Sequence, residues 1–175
     1  MPSDDIYLGN PNLKKANTPV EFTADQISEF IKCKKNPVYF AKTYVQIVNL
    51  DEGLVPFQPN KFQEKLIKRF HKDRFNICKM PRQTGKSTTV VAYLLHYAVF
   101  NDSVNIGILA NKAKIAMDLL GRLQVAYENL PKWMQQGIIA WNKGSLELEN
   151  GSKILAASTS ASAVRGMSFN ILFLD

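Results

Sequence analysis

The chain has 175 residues, 46% of them hydrophobic, which allows one domain with a sizeable core and a small leading segment. No apolar run reaches the length of a membrane span, Met1-Pro2-Ser3-Asp4-Asp5 lacks the basic start and apolar core of a signal peptide, and Cys33 and Cys78 are too few for a disulfide framework or a zinc site and read as reduced core thiols. The net charge of +7 suits a polyanion such as nucleic acid, and the plainer alternative is a solvated face, since Lys32, Lys34, Lys35, Lys65, Lys68, Arg69 and Lys72 fall on predicted surface helices.

Residues 1–20 are rich in Pro, Asn and Asp and read as an extended arm. Residues 21–74 read as a helical lead-in. Thr23 and Gln26 form a capping box, which predicts a helix over 24–34. Asn36-Pro37 restarts a helix, with Val38, Phe40, Ala41, Tyr44, Val45 and Val48 at helical spacing, stopped by Asp51-Glu52-Gly53. A third helix is predicted over 60–72, with Phe62, Leu66, Ile67 and Phe70 facing inward.

From residue 75 to 175 the pattern becomes strands alternating with helices. A strand over 76–80 leads to a loop and a helix over 86–99. A strand over 104–110 follows, then a helix capped by Asn111 and stopped near Leu130-Pro131. Segments 138–141, 145–148 and 152–157 read as a small meander, with turns at Asn142-Lys143-Gly144 and Asn150-Gly151. Residues 170–175 read as a buried strand ending in an acid.

The run Arg82-Gln83-Thr84-Gly85-Lys86-Ser87-Thr88 carries the chemistry. Apolar strand, tight loop, Gly-Lys-Ser and helix make the context of a phosphate-binding loop, whose backbone N–H groups point at the anion alongside the helix dipole. Lys86 would reach the outer phosphates, and the Ser87 hydroxyl would hold Mg²⁺. The first glycine of the general pattern is replaced by Met80, while Gly85, at the closest backbone approach, is kept.

Two further pieces fit a nucleoside triphosphate. Ile171-Leu172-Phe173-Leu174-Asp175 has the form of a Walker B strand, whose acid binds Mg²⁺ through water. Gln63, ahead of the loop, can match donor and acceptor on an adenine edge, and Phe57 can stack on the base, so ATP is favoured over GTP.

Together these residues resemble the ATPase domain of the large terminase subunit of tailed bacteriophages, in its T-even myophage branch. The resemblance covers nearly the whole chain beyond the arm. It rests on Asn36-Pro37-Val38-Tyr39-Phe40-Ala41, Phe62-Gln63, the Arg-led phosphate loop, Gly107-Ile108-Leu109-Ala110, Trp141-Asn142-Lys143-Gly144-Ser145, Asn150-Gly151-Ser152, Val164-Arg165-Gly166 and the terminal strand. The Arg-led loop discriminates best.

The resemblance implies an α/β, RecA-like P-loop fold: a mainly parallel sheet flanked by helices, with a small β-meander and an N-terminal helical segment. It implies an ATP-driven translocase in the host cytoplasm. This motor moves double-stranded DNA into a procapsid, as a ring on the portal protein and with a small terminase subunit. A nuclease domain lies elsewhere in such proteins. Arg82 matches an arginine on the γ-phosphate side, and Arg165 matches a candidate arginine finger. The family's catalytic Glu follows the Walker B Asp, and a later strand lies between the P-loop and Walker B strands. Both are expected beyond Asp175, so the chain is expected to be a truncated domain that is inactive alone. Two alternatives stay open at this point: another RecA-type helicase, or a non-catalytic nucleotide-binding assembly module.

Overall fold

The computed structural model describes residues 5–49, 51–159, 164 and 166–175. The first two strands, β1 (Ile6–Tyr7) and β2 (Asn10–Lys14), form an antiparallel hairpin. The expected extended arm is therefore a docked element. Leu13 is buried in the core, the Lys14 amide donates to Gln135 Oε1 at 3.0 Å, and Lys14 Nζ pairs with Glu149 at 2.8 Å. Burying a lysine is tolerable only with such a partner.

Three helices follow, each with the side-chain cap its sequence announces. Helix α1 (Ala24–Lys35) carries the Thr23/Gln26 capping box, α2 (Pro37–Tyr44) is capped by Asn36, and α3 (Lys61–Lys72) has a second box between Asn60 and Gln63. The hydroxyls of Tyr39 and Tyr44 both donate to the Glu29 carboxylate, tying α2 to α1.

Two expectations for this region fail. Helix α2 stops at Tyr44, and residues beyond it form a hairpin of β3 (Gln46–Asn49) and β4 (Gly53–Pro56). Ile47 and Val48 are β-branched and stiff at χ1, and Asn49 and Gly53 supply the turn. Phe62 is exposed, and only Gln63 and Ile67 of α3 are fully buried, with Leu66 and Phe70 partly so.

Helix α4 (Lys86–Phe100) is the centre of the molecule, buried on nearly every side from Thr89 onward. A helix apolar all round must be enclosed, and α2, α3 and α5 (Ala113–Glu128) pack around it. The cap of α5 is Lys112 rather than Asn111, with no side-chain cap bond.

One five-stranded sheet has the order β6-β7-β8-β5-β9. Its strands are β5 (Asn105–Ala110), β6 (Ile138–Trp141), β7 (Ser145–Leu148), β8 (Lys153–Ser158) and β9 (Ile171–Leu174). Strand β5, between β8 and the edge strand β9, pairs in parallel with both, whereas β6, β7 and β8 pair antiparallel. The sheet is thus mixed rather than mainly parallel, because the predicted meander joins it edge-on through β8. Gly151, at φ +81°, lets the β7–β8 chain reverse.

The strand expected over 76–80 does not form. Phe75 and Ile77 are exposed, and a cavity of about 300 Å³ separates this segment from β9. A strand needs a hydrogen-bonded neighbour, and here the nearest one lies across that gap. Cys78 borders the cavity and is only partly buried, so of the two thiols only Cys33 sits in the core. Burial pushes the Cys33 thiol up to about 12.

Candidate phosphate site

The loop of residues 82–88 lies at the N-terminus of α4, whose cap is Gly85. Gly85 sits at φ +76° and Gln83 at φ +62°, both left-handed. Such alternation turns successive backbone N–H groups to one side and makes an anion-binding concavity. The Thr84 hydroxyl donates to the Pro81 carbonyl at 2.9 Å and closes the turn. Unlike α1, α2 and α3, helix α4 has no side-chain cap, so its first N–H groups have no such partner. Lys86, Ser87 and Thr88 are partly exposed at this open end, and Arg82 and Gln83 are exposed in front of it.

Parallel pairing carries β9 alongside β5, with Leu174 opposite Leu109. Asp175 follows at the C-terminal edge of the strands, held by its N–H donating to Leu109 O at 2.9 Å. Ligands in open α/β sheets gather at this edge. The Lys86 ammonium lies 3.2 Å from the Asp175 carboxylate, with both side chains partly open to solvent. Two residues far apart in the chain thus meet at one point. The donor set fits Mg²⁺ with a triphosphate: a lysine and turned N–H groups for the phosphates, and a hydroxyl and a carboxylate for the metal.

The expected base-binding residues are placed differently. Phe57 is 3% exposed, a core residue with no open face for a base, which corrects its role as a stacking ring. Gln63 is 7% exposed and its amide is engaged at both ends. Its Oε1 accepts from the Asn60 N–H at 2.9 Å, and its Nε2 makes a long bond of 3.5 Å to the Gly85 carbonyl. That carbonyl also accepts from the Thr89 N–H and hydroxyl at 3.0 and 2.8 Å. A Cβ on Gly85 would displace the end of the Gln63 amide, and the positive φ of +76° favours glycine there in its own right. Sequence reasoning saw Gln63 as a reader of adenine. It missed its place as a strut, although the Asn60/Gln63 spacing of a capping box was visible. Arg165 lies outside the described residues.

No helix among the described residues is long and apolar enough to cross a membrane. The fold is similar to that in the crystal structure of the HK97 bacteriophage large terminase, with a TM-score of 0.66 at 18% identity over 81% of this chain and 30% of that one. The chain therefore spans less than a third of that protein's length. A family model described as "Terminase large subunit, T4likevirus-type, N-terminal" matches residues 77–175, which include the phosphate loop, β5 and β9. With more than half of its residues inside that match, the chain belongs to the T4likevirus-type terminase large subunit family, in its N-terminal part.

Proposed function

We propose that this chain binds Mg-ATP between the 82–88 loop and Asp175, and that it is the nucleotide-binding part of an enzyme that couples ATP hydrolysis to moving double-stranded DNA into a procapsid. The observation that carries the reading is the Lys86–Asp175 pair at 3.2 Å. It brings the phosphate-binding lysine and the metal-binding acid to the uncapped end of α4. In this reading Lys86 and the N–H groups of residues 83–88 bind the phosphates. Ser87 and Asp175 hold the metal, which supplies charge neutralisation on the triphosphate. Arg82, exposed beside the loop, faces the outer phosphate. Arg165 serves as the arginine finger of a ring, assembled on the portal with a small subunit in the host cytoplasm.

Gln63 acts here through the loop. Its amide holds the Gly85 carbonyl and the N-terminus of α3, so its loss is felt by any nucleoside triphosphate.

Isothermal titration with ATP, with and without Mg²⁺, tests this reading. Lys86→Ala abolishes binding. Asp175→Asn removes the Mg²⁺ dependence, and also frees Lys86 from its ion pair. Unchanged Mg-ATP affinity in Lys86→Ala overturns the assignment.

A further inference from the structure

The positive charge of this chain is concentrated in one place. Residues 61–79 hold seven basic residues (Lys61, Lys65, Lys68, Arg69, Lys72, Arg74 and Lys79) and two acids (Glu64 and Asp73). This one segment thus accounts for five of the chain's seven net positive charges. Both of its acids are already matched, Glu64 by Lys42 of α2 at 2.7 Å and Asp73 by Arg69 at 3.2 Å. A solvated face would carry interspersed signs, as the rest of the chain does.

The lysines are also ordered. Lys61, Lys65, Lys68 and Lys72 recur at steps of four, three and four residues along α3, which puts them on one face. All four are exposed, and no ion pair among the described residues uses any of them. At 1.5 Å per residue they form a row about 16 Å long. A duplex presents a phosphate about every 3.4 Å along each strand, so the row matches a stretch of about five.

The opposite face of α3 is fixed to the nucleotide loop. Gln63 reaches the Gly85 carbonyl, Ile67 is buried, and the Phe70 carbonyl accepts from the Tyr93 hydroxyl of α4 at 3.0 Å. One short helix therefore carries a row of free cations on one side and a contact to the phosphate loop on the other.

We infer that the Lys61/Lys65/Lys68/Lys72 row of α3 is a contact surface for the phosphate backbone of duplex DNA. The inference rests on the packaging reading for its choice of polyanion and goes beyond it in naming the surface. Because Lys side chains act as point charges, the surface grips without reading sequence. Because α3 also holds Gly85, bound DNA and bound nucleotide act on one rigid element.

The test is fluorescence anisotropy with a labelled duplex over a series of salt concentrations. The parent chain is compared with a variant carrying Lys61→Gln, Lys65→Gln, Lys68→Gln and Lys72→Gln. A charge-matched control carries Lys34→Gln, Lys35→Gln, Lys114→Gln and Lys143→Gln. Glutamine has nearly the helix propensity of lysine, so α3 is preserved. The α3 variant loses about tenfold or more in affinity, and its log–log salt slope falls by about 3, as expected for up to four phosphate contacts at about 0.9 each. The control changes far less. Single variants, each lowering the slope by about 1, serve if the quadruple variant does not fold. Equal losses in both quadruple variants, no loss in the α3 variant, or binding to single strands but not to duplex overturns the proposal. Mg-ATP titration on the same α3 variant gives parent-like affinity. A parent chain that binds duplex but no ATP breaks the nucleotide reading alone.

Discussion

The two ends of α4 are finished in opposite ways. At its C-terminus, polar side chains from the meander side close the last turn. Gln136 Nε2 donates to Val99 O at 3.0 Å, Asn150 Nδ2 to Ala98 O at 2.9 Å and Ser152 Oγ to Asn101 O at 2.8 Å. At its N-terminus no side chain caps the helix, two loop residues sit in left-handed conformations, and the neighbouring segment 75–80 pairs with no strand. The sheet repeats this contrast. Leu146, Leu148 and Ile154 at the meander edge are buried, whereas Leu172 and Leu174 on β9 are about half exposed or more. Polar side chains thus close the C-terminal end of α4, whereas the backbone donors of its first turn have no side-chain cap and are left for a ligand in the proposed reading.

The largest test of this contrast is in the packed half. Leu148→Ala removes a fully buried side chain and lowers stability by about 2–5 kcal/mol in urea titration. Mg-ATP affinity, measured well below the unfolding midpoint, is unaffected. A loss of binding without a loss of stability would show that the two halves are not separate.

The next test uses pH. His96 is buried on α4, its Nε2 sits 3.0 Å from Cys33 O, and its Nδ1 has no hydrogen-bond partner. Burial, the largest influence, holds its pKa down at about 4 from the usual 6.5. The folded state thus keeps His96 neutral, while the unfolded chain takes up a proton below about pH 6.5. Stability contributed by this residue is intact above pH 6.5 and is lost as pH falls from 6.5 towards 4, by about 3 kcal/mol at most. Thermal melts between pH 7 and 5 should show this fall, and His96→Phe should flatten it. A parent chain with no pH dependence in that window refutes the assignment.

A smaller effect is expected at the open end. Gln63→Ala removes half of a capping box and the contact to Gly85, at a cost of about 1–2 kcal/mol in stability. Its Mg-ATP and Mg-GTP affinities should fall together. A loss confined to ATP would restore the base-reading role.

The smallest effect is expected on β9. Leu174, 62% exposed, should tolerate Leu174→Thr within about 0.5 kcal/mol in the same urea titration. A larger loss would show that the cavity beside β9 closes in solution.

Much of the fold was legible where a signal is local. The capping box at Thr23, the Asn36-Pro37 helix start and the Asn150-Gly151 turn depend on neighbouring residues, and all appear where the sequence places them. The failures are of another kind. Apolar spacing alone could not tell helix from hairpin at residues 45–48, because Val45 and Val48 suit either until Gly53 closes the turn. The polar composition of residues 1–20 concealed the buried Leu13 and the pairing of Lys14 with Glu149.

The sequence by itself determined the loop of residues 82–88 at a helix start, that helix, and the short apolar strand just before Asp175, because each is encoded within a few adjacent residues. Only the tertiary structure decided that Lys86 and Asp175 meet, that Phe57 lies in the core, that Gln63 braces Gly85, and that residues 75–80 have no strand beside them. These are distances between segments far apart in the chain. They depend on how α3 and α4 pack and how β9 registers against β5, and no local pattern carries that information.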